Sequence, residues 1–383
     1  MTDSSKRAWA TIDLHALKKN LSKVSVRCPE SKIVPVIKAN AYGHGVDQVA
    51  KILRESHHKL AAVAVATIDE ALQLRTLGFN TPIMLLPGFR NSEEMNLCLN
   101  HNIEPVVHSV EQVAALDAYL EKEILSGVGR VWVKLNTGMN RLGLSSENAL
   151  QAYGDFHKHP GTEVVLMSHL GWADDPEDSS AAKFTQQQIA EFNAAREKLK
   201  QLTQGPVGSS LAASSGILNL PETHHQFVRP GIMLYGSSPL SNRTSEEIGL
   251  LPVMTLSARL IAINEVKAGQ SIGYGATHTC KQDTRVGVVS IGYADGYPRA
   301  AKNGTPVLVR SASGDKRTIL IGRVSMDMIT IDLTTMDDAN IDDEVVLWGK
   351  GLPVDEVAIS AGTIAYELFC KVTNRVSFEY LGN

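Results

Sequence analysis

From about residue 30 to residue 235 the chain alternates short apolar runs with longer amphipathic stretches, and no other feature narrows its fold as far. The apolar runs are 33–37, 61–66, 82–86, 103–107, 131–135, 163–167, 207–211 and 226–235. Between them lie amphipathic stretches at 69–77, 110–120, 146–156 and 183–202, with shorter ones at 93–99 and 217–220. Each apolar run is too short for a buried helix and is flanked by Gly, Pro, Asn or Ser, so it reads as a strand. Eight β/α repeats in roughly 200 residues predict an α/β fold, a (β/α)8 TIM-like barrel. A doubly wound open sheet has the same alternation and competes with it.

After Tyr235 the texture changes. Gly236-Ser237-Ser238-Pro239 reads as the end of the barrel, and the polar segment 240–250 as a linker. Strand-like runs follow at 253–263, 284–291, 305–309, 318–321, 328–333 and 344–348, then a helical stretch at 355–366 and a last strand near 375–380. This predicts a mostly β C-terminal domain. The expected division is 1–245 for the barrel and 246–383 for the β domain, with the first ten residues as candidates to pair with the latter. A chain of 383 residues is long enough for two such units.

Composition excludes several classes of function. The formal charge is −4 with basic residues scattered, which leaves no electrostatic footprint for nucleic acid. No apolar run approaches the roughly 20 residues that span a bilayer, and the first ten residues hold no apolar segment typical of a secretion signal. Four cysteines, Cys28, Cys98, Cys280 and Cys370, lie far apart without C-x-x-C spacing. They read as reduced residues of a cytoplasmic protein. No metal site is expected: His57-His58 and His224-His225 lie in polar stretches without a carboxylate at useful spacing, and are expected to be solvated.

The chemistry concentrates where the first barrel strand ends, in Val34-Pro35-Val36-Ile37-Lys38-Ala39-Asn40-Ala41-Tyr42-Gly43-His44-Gly45. A barrel carries its active site at the carboxyl ends of its strands, where Lys38 falls. An amine placed there is positioned to form a Schiff base with an aldehyde. A strand-end lysine that simply snorkels to solvent is the plain alternative. Gly43-His44-Gly45 adds a candidate anion cradle before the next helix.

This segment closely resembles the cofactor-lysine signature of bacterial alanine racemases. The resemblance continues through Lys134-Leu135-Asn136-Thr137-Gly138-Met139-Asn140-Arg141-Leu142-Gly143, Ser168-His169-Leu170, Val228-Arg229-Pro230-Gly231-Ile232 and Gly273-Tyr274-Gly275-Ala276-Thr277. It takes in Gly292-Tyr293-Ala294-Asp295-Gly296, Gly322-Arg323-Val324-Ser325-Met326-Asp327 and Ile364-Ala365-Tyr366-Glu367 as well. These segments keep the family's order over nearly the whole chain.

The resemblance implies interconversion of L- and D-alanine with pyridoxal 5'-phosphate, supplying D-alanine for peptidoglycan or degrading it. Lys38 would carry the cofactor and act as one of two acid/base groups. Tyr274 would be the other, reaching in from the partner subunit of a homodimer. Two groups on opposite faces of the α-carbon exchange its proton directly, a positioned transfer worth roughly 10²–10⁴-fold in rate. A phenol near its ordinary pKa of about 10 is a poor base at neutral pH. In the family the Arg141 position supplies a nearby cation and meets the substrate carboxylate.

Arg229 would face the pyridine nitrogen. Arginine can only donate, so the ring nitrogen must accept and stays unprotonated, which weakens the ring as an electron sink. His169 would pack beside the ring. Phosphate contacts fall to Tyr42, Ser214, Gly231, Ile232 and Tyr366. Many relatives have Asn-Ser where this chain has Ala213-Ser214, so Ser214 and Ser215 both remain candidates, with Ser214 favoured. Met326 and Asp327 of the partner would line the carboxylate site, and the partner's Tyr293 would join Tyr366 in a narrow gate over a small side chain. Hydrophobic discrimination there is worth about 1–3 kcal/mol per methylene. Lys134, matching a lysine carbamylated in several relatives, would hold Arg141 through an anion. Asn136 departs from the Asp common at its position.

Other readings stand beside this one. A racemase of broader amino-acid scope keeps every motif. Decarboxylases of basic amino acids share the architecture but carry an acidic residue at the pyridine nitrogen and a cysteine-containing motif in the β domain. A non-catalytic cofactor carrier is usually a lone barrel. A purely structural barrel gives no reason for Lys38 to sit in this motif.

Overall fold

The computed structural model describes residues 6–56, 58, 60–121 and 129–382. Strand β1 (Ala8–Asp13) comes first, then the helix Leu14–Arg27, whose first turn is capped by the Asp13 carboxylate accepting from the Ala16 N–H at 2.9 Å. The barrel strands follow as β2 (Lys32–Ile33), β3 (Val63–Val65), β4 (Ile83–Leu85), β5 (Ile103–Val107), β6 (Arg130–Lys134), β7 (Glu163–Met167), β8 (Gly208–Ala213) and β9 (Phe227–Arg229). All pair in parallel in the order β2-β9-β8-β7-β6-β5-β4-β3. Parallel bridges Ile33–Leu60 and Val36–Ala64 join the two ends, so the sheet closes and the open doubly wound alternative is excluded. Nearly every residue of β3, β4 and β5 is buried, as expected of strands covered by helices outside and side chains within.

The second unit contains β10 (Met254–Val266), β11 (Ser271–Ile272), β12 (His278–Thr279), β13 (Thr284–Val289), β14 (Pro306–Ser311), β15 (Gly314–Ile319), β16 (Ile329–Asp332), β17 (Glu344–Trp348) and β18 (Ser377–Leu381). Its main sheet runs β15-β14-β17-β10-β1-β18, with β13 pairing both β10 and β16. Strand β1 lies antiparallel to β10 and parallel to β18, which ties the start of the described chain into the β domain. Residues 1–5 of that expectation lie outside the described residues.

Several boundaries move for identifiable reasons. The run 226–235 is a strand only to Arg229; Pro230 has no N–H to continue the ladder, and Ile232–Tyr235 closes into a 3-10 turn. The segment 240–250 is not a loose linker. Leu240, Ser245, Ile248 and Leu250 are buried, and the Asp355 carboxylate accepts from Ser237 Oγ (2.5 Å) and the Ser245 N–H (3.2 Å). The helical stretch 355–366 is two helices, Val354–Ala361 and Ala365–Lys371, parted at Gly362 with φ +68°.

His224 and His225 are packed rather than solvated. His224 Nε2 donates to the Gly216 and Ile217 carbonyls at 3.1 Å, and its Nδ1 is 3.3 Å from Cys28 Sγ. The His225 ring stacks on Phe192. His58 lies 3.1 Å from Ser22 Oγ, while His57 is outside the described residues. All four cysteines are unpaired. Among the described residues no helix is long and apolar enough to cross a membrane.

Candidate active site

Lys38 ends the first barrel segment, and the backbone after it does something unusual. Ala39, Asn40, Ala41 and Tyr42 take φ of +53°, +54°, +54° and +52°, a full turn of left-handed helix without a glycine. Each such residue costs roughly 1–2 kcal/mol, so the turn persists only because its surroundings hold it. The Glu70 carboxylate accepts from the Ala39 N–H at 2.6 Å while its other oxygen accepts from Ala66 at 2.8 Å, locking the turn to the end of β3. Asn40 Oδ1 accepts from the Val46 N–H at 2.8 Å. His44 is wholly buried between Tyr235 and Phe369, and burial pushes its pKa down to about 4. Its Nδ1–H donates to the Tyr42 carbonyl at 2.8 Å.

The two glycines flanking His44 serve close packing rather than an anion. A Cβ on Gly43 would sit 2.3 Å from the Phe369 carbonyl oxygen, and one on Gly45 would sit 2.1 Å from the Tyr380 hydroxyl. The turn brings Tyr42 back over the barrel mouth, where its ring stacks on Tyr235 at 4.7 Å and lies 5.9 Å from Tyr366.

A cavity of about 560 Å³ opens at that mouth. Lys38, Tyr42, Lys134, Arg141, His169, Ser214, Arg229, Gly231, Ile232 and Tyr366 all line it, together with Ser215. No Asp or Glu lines it among the described residues. Arg229 is buried and donates to Ser210 Oγ, to the Ser168 carbonyl at 2.6 Å and to the Leu211 carbonyl at 3.2 Å. Burial pulls its pKa to about 10. Lys134 at the tip of β6 is pushed down to about 8, first by burial and then by the positive charges of Arg229, Arg141 and Lys38. The same causes, with Lys134 added, take His169 to about 3, so its imidazole is neutral. Burial also raises the Tyr42 and Tyr366 phenols, which stay protonated donors.

Arg141 sits on a loop folded around Asn136. The Asn136 Oδ1 accepts from Gly138 (3.0 Å) and Asn140 (3.1 Å), and its amide donates to Asn140 Oδ1 at 2.8 Å. An aspartate there would lack that last donor. Across the cavity Ser214 Oγ accepts from the Gly231 N–H at 2.9 Å and the Met233 N–H at 3.4 Å. A Cβ on Gly231 would meet the Tyr42 hydroxyl at 2.7 Å, so a side chain there would push the Tyr42 ring aside.

Tyr274, Tyr293, Met326 and Asp327 do not line the cavity of the same chain. They lie on the β domain, with Tyr274 69% exposed, Met326 52% and Tyr293 39%. This second cluster is knit together. The Tyr293 N–H donates to Ser325 O at 3.1 Å and the Ala294 N–H to Met326 O at 3.0 Å. The fully buried Asp295 accepts from the Gly292 N–H at 2.9 Å, pairs with Arg7, and lies 3.3 Å from Arg375, which also holds Asp327 at 2.6 Å. Glu70 and Asp295 escaped the sequence reading. Thr67-x-x-Glu70 before an apolar stretch is a capping-box pattern that flags the first; for Asp295, lying within a quoted motif, no local signal exists.

Residues 12–239 match the family described as alanine racemase, N-terminal domain, and residues 253–380 the alanine racemase C-terminal domain. The chain is 46% identical over 380 residues to the alanine racemase of Vibrio parahaemolyticus, covering 98% of this chain and 99% of that one. The structure of the biosynthetic alanine racemase from Pseudomonas aeruginosa superposes with a TM-score of 0.87 at 39% identity, covering 98% of this chain and 100% of that chain. That of alanine racemase from Bartonella henselae, solved with covalently bound pyridoxal phosphate, superposes with a TM-score of 0.83 at 28% identity over 98% and 99% of the two chains.

Proposed function

This chain belongs to the alanine racemase family, and from that premise we propose that Lys38 and Tyr274 are the acid/base pair that interconverts L- and D-alanine, with pyridoxal phosphate as cofactor and a second copy of the chain supplying Tyr274. The observation that carries the reading is the charge of the cavity: Lys38, Lys134, Arg141 and Arg229 converge without a lining carboxylate among the described residues. Four confined cations repel one another and oppose burial. A phosphate dianion and a substrate carboxylate supply the missing negative charge. Pyridoxal phosphate, when bound, supplies an aldehyde that condenses with amines and a ring that draws electrons from the α-carbon.

The residues fit that group. Tyr42 and Tyr366, held protonated, and Ser214, whose Oγ accepts from the Gly231 N–H and keeps its own proton to donate, offer hydroxyl donors of the kind a phosphate takes, with Gly231 and Ile232 lining the same corner. Lys38 presents its amine where the first barrel segment gives way to the left-handed turn. Arg229, fixed by carbonyls and Ser210, can only donate toward a ring nitrogen. Neutral His169 stands beside it without adding charge. Arg141 is free to meet a carboxylate. Lys134 is a modification site in this reading. At a pKa of about 8 its neutral amine is accessible near physiological pH, and it adds to CO2, forming an N–C bond and releasing one proton. The resulting carbamate turns a fourth cation into an anion beside Arg141.

Racemisation needs a second acid/base group on the other face of the α-carbon, and within one chain Tyr274 is exposed on the β domain, away from the cavity. In a homodimer the barrel of 1–245 holds the cofactor while the partner's 246–383 lends Tyr274, Met326, Asp327 and Tyr293. The Tyr293 and Tyr366 rings then frame an opening suited to a methyl side chain. A decarboxylase reading lacks its acidic residue at Arg229, and a lone cofactor carrier has no use for the Tyr274 domain. We place the enzyme in the cytoplasm. The description of the Pseudomonas relative as biosynthetic favours supply of D-alanine for peptidoglycan over its breakdown.

Borohydride reduction of the purified holoenzyme followed by peptide mapping tests the assignment. The expected result is a pyridoxyl group on Lys38 alone; labelling of Lys134 or any other lysine in its place overturns it.

A further inference from the structure

We propose that Gln188 is a positioning residue that holds Arg141 and His169 in one frame; the inference rests on the reading that Arg141 meets the substrate carboxylate. Gln188 lies in the helix Ser179–Thr203, among its buried residues Thr185, Ile189 and Phe192, and is wholly inaccessible. A buried amide is costly unless each of its hydrogen bonds is made. Both N–H donors and the carbonyl oxygen are partnered here, each with the two loops at the barrel mouth. Its Oε1 accepts from the Gly171 N–H at 2.8 Å, and its Nε2 donates to the His169 carbonyl and to Thr137 Oγ1, each at 3.1 Å.

The network beyond Gln188 has a fixed direction. Ser168 Oγ uses its one proton on the Leu135 carbonyl at 2.8 Å. Thr137 must therefore donate to Ser168 Oγ, 2.9 Å away, and accept from Gln188. Every donor points the same way, which strengthens each bond in turn. The Ser168 carbonyl in turn accepts from Arg229. The ladder between β6 and β7 ends at Lys134–Met167. Past that pair Gln188 bonds to both segments, four residues before Arg141 on one side and at His169 itself on the other. A loop freed from this anchor places the Arg141 guanidinium less accurately, and errors near 1 Å in positioning groups cost up to about 10²-fold.

Gln188→Met fills the same volume and removes all three bonds. Gln188→Glu keeps the acceptor for Gly171 but sets an oxygen against the His169 carbonyl. Both are expected to raise KM for alanine at least about tenfold, with kcat changed less than about threefold. The Kd of propionate, read from the absorbance of the bound cofactor without turnover, rises in parallel. Thr185→Val is the control, since it removes another buried bond from the same helix, to the Trp172 carbonyl at 2.8 Å, without touching the Arg141 loop. It is expected to lower Tm as Gln188→Met does while leaving KM unchanged. Should Gln188→Met fail to fold, Thr137→Val breaks the network from its other end and is expected to move KM and propionate affinity in the same direction. A Gln188 or Thr137 variant that behaves like Thr185→Val, losing Tm alone, overturns the proposal. Arg141→Gln separates the two readings. If it leaves propionate affinity intact, the carboxylate assignment fails and the inference with it; if it abolishes affinity while the Gln188 variants do nothing, positioning by Gln188 alone is refuted.

Discussion

Mixing a Lys38→Ala chain with a Tyr274→Phe chain isolates the shared-site geometry from every other feature of the enzyme. With Lys38 and Tyr274 as the proposed acid/base pair, each variant alone loses one of two proton-transfer groups, a loss of roughly 10²–10⁴-fold in rate. The Tyr274 side chain is exposed on the β domain while Lys38 lies in the cavity at the barrel mouth, so neither homodimer contains an intact pair. In a mixed dimer the barrel with Lys38 receives Tyr274 from the Lys38→Ala chain, and the other site lacks both groups. Random reassociation of equal amounts makes half the dimers mixed, so about a quarter of all sites should be intact under two-fold symmetry. Activity near one quarter of wild type, against a background near one per cent or below for either variant alone, is a wide margin. The assay is racemisation after mild dissociation and remixing, with exchange established from chains of different tag length. Background activity in a mixture proven to contain heterodimers would refute a tyrosine lent between chains.

Two further expectations follow from the same geometry. Gly43 and Gly78 have similar backbone angles, φ +77° and +72°, but a Cβ on Gly43 would strike the Phe369 carbonyl whereas nothing lies within 4 Å of one on Gly78. Gly78→Ala should cost only the conformational part, about 1–2 kcal/mol, and Gly43→Ala distinctly more, with weakened cofactor retention; equal urea midpoints would show that the close approach is not real. Lys134 has a folded pKa of about 8 against an ordinary 10.5, so below pH 8 both states carry the proton and the folded state bears the full cost, about 3 kcal/mol. Between pH 8 and 10.5 the unfolded chain holds a proton that the folded one has lost, and stability rises with pH. Cofactor-free Lys134→Met in bicarbonate-free buffer is therefore expected to be more stable than wild type at pH 7 and no more stable above pH 10, as urea denaturation at the two pH values would read; an unchanged difference would sink the assignment.

What was legible in the sequence was what is repeated locally. The barrel strands from β3 to β7 stand out because each is a short, mostly apolar run between turn residues, and their limits agree with the reading to within two residues. Strand β1 pairs with the distant strands β10 and β18, and a pairing across more than 240 residues leaves no local trace beyond alternation. The residues at the barrel mouth, Lys38, Lys134, His169 and Arg229, stand in motifs that keep their order along the chain. Gln188 stands in none of them and matters through partners supplied by other segments, Glu70 shows only its capping-box pattern, and Asp295, although inside a motif, gives no sign of its partners Arg7 and Arg375. Gln188 looks like any polar residue of an amphipathic helix until Thr137, His169 and Gly171 are folded against it.

The left-handed turn is the clearest case of structure that no propensity encodes. Ala, Asn, Ala and Tyr in sequence favour a right-handed helix or a strand, yet all four hold positive φ immediately after the lysine. The cavity beside them adds a second cost, four cations drawn together without a lining acid. Both costs fall on the chain when the site carries no anion, and both lie within a few residues of Lys38. An occupant bearing a phosphate and an aldehyde would relieve the second. Much of the free energy that such an occupant gains on binding then appears as stability of the folded chain, because it binds the folded state and has no comparable site in the unfolded one. Tm should therefore depend on cofactor concentration more steeply in wild type than in Arg229→Ala, which keeps the strained turn but loses one of the cations that the occupant neutralises. A Tm that ignores added pyridoxal phosphate in the wild-type apoprotein would mean that the strain and the charge serve something else.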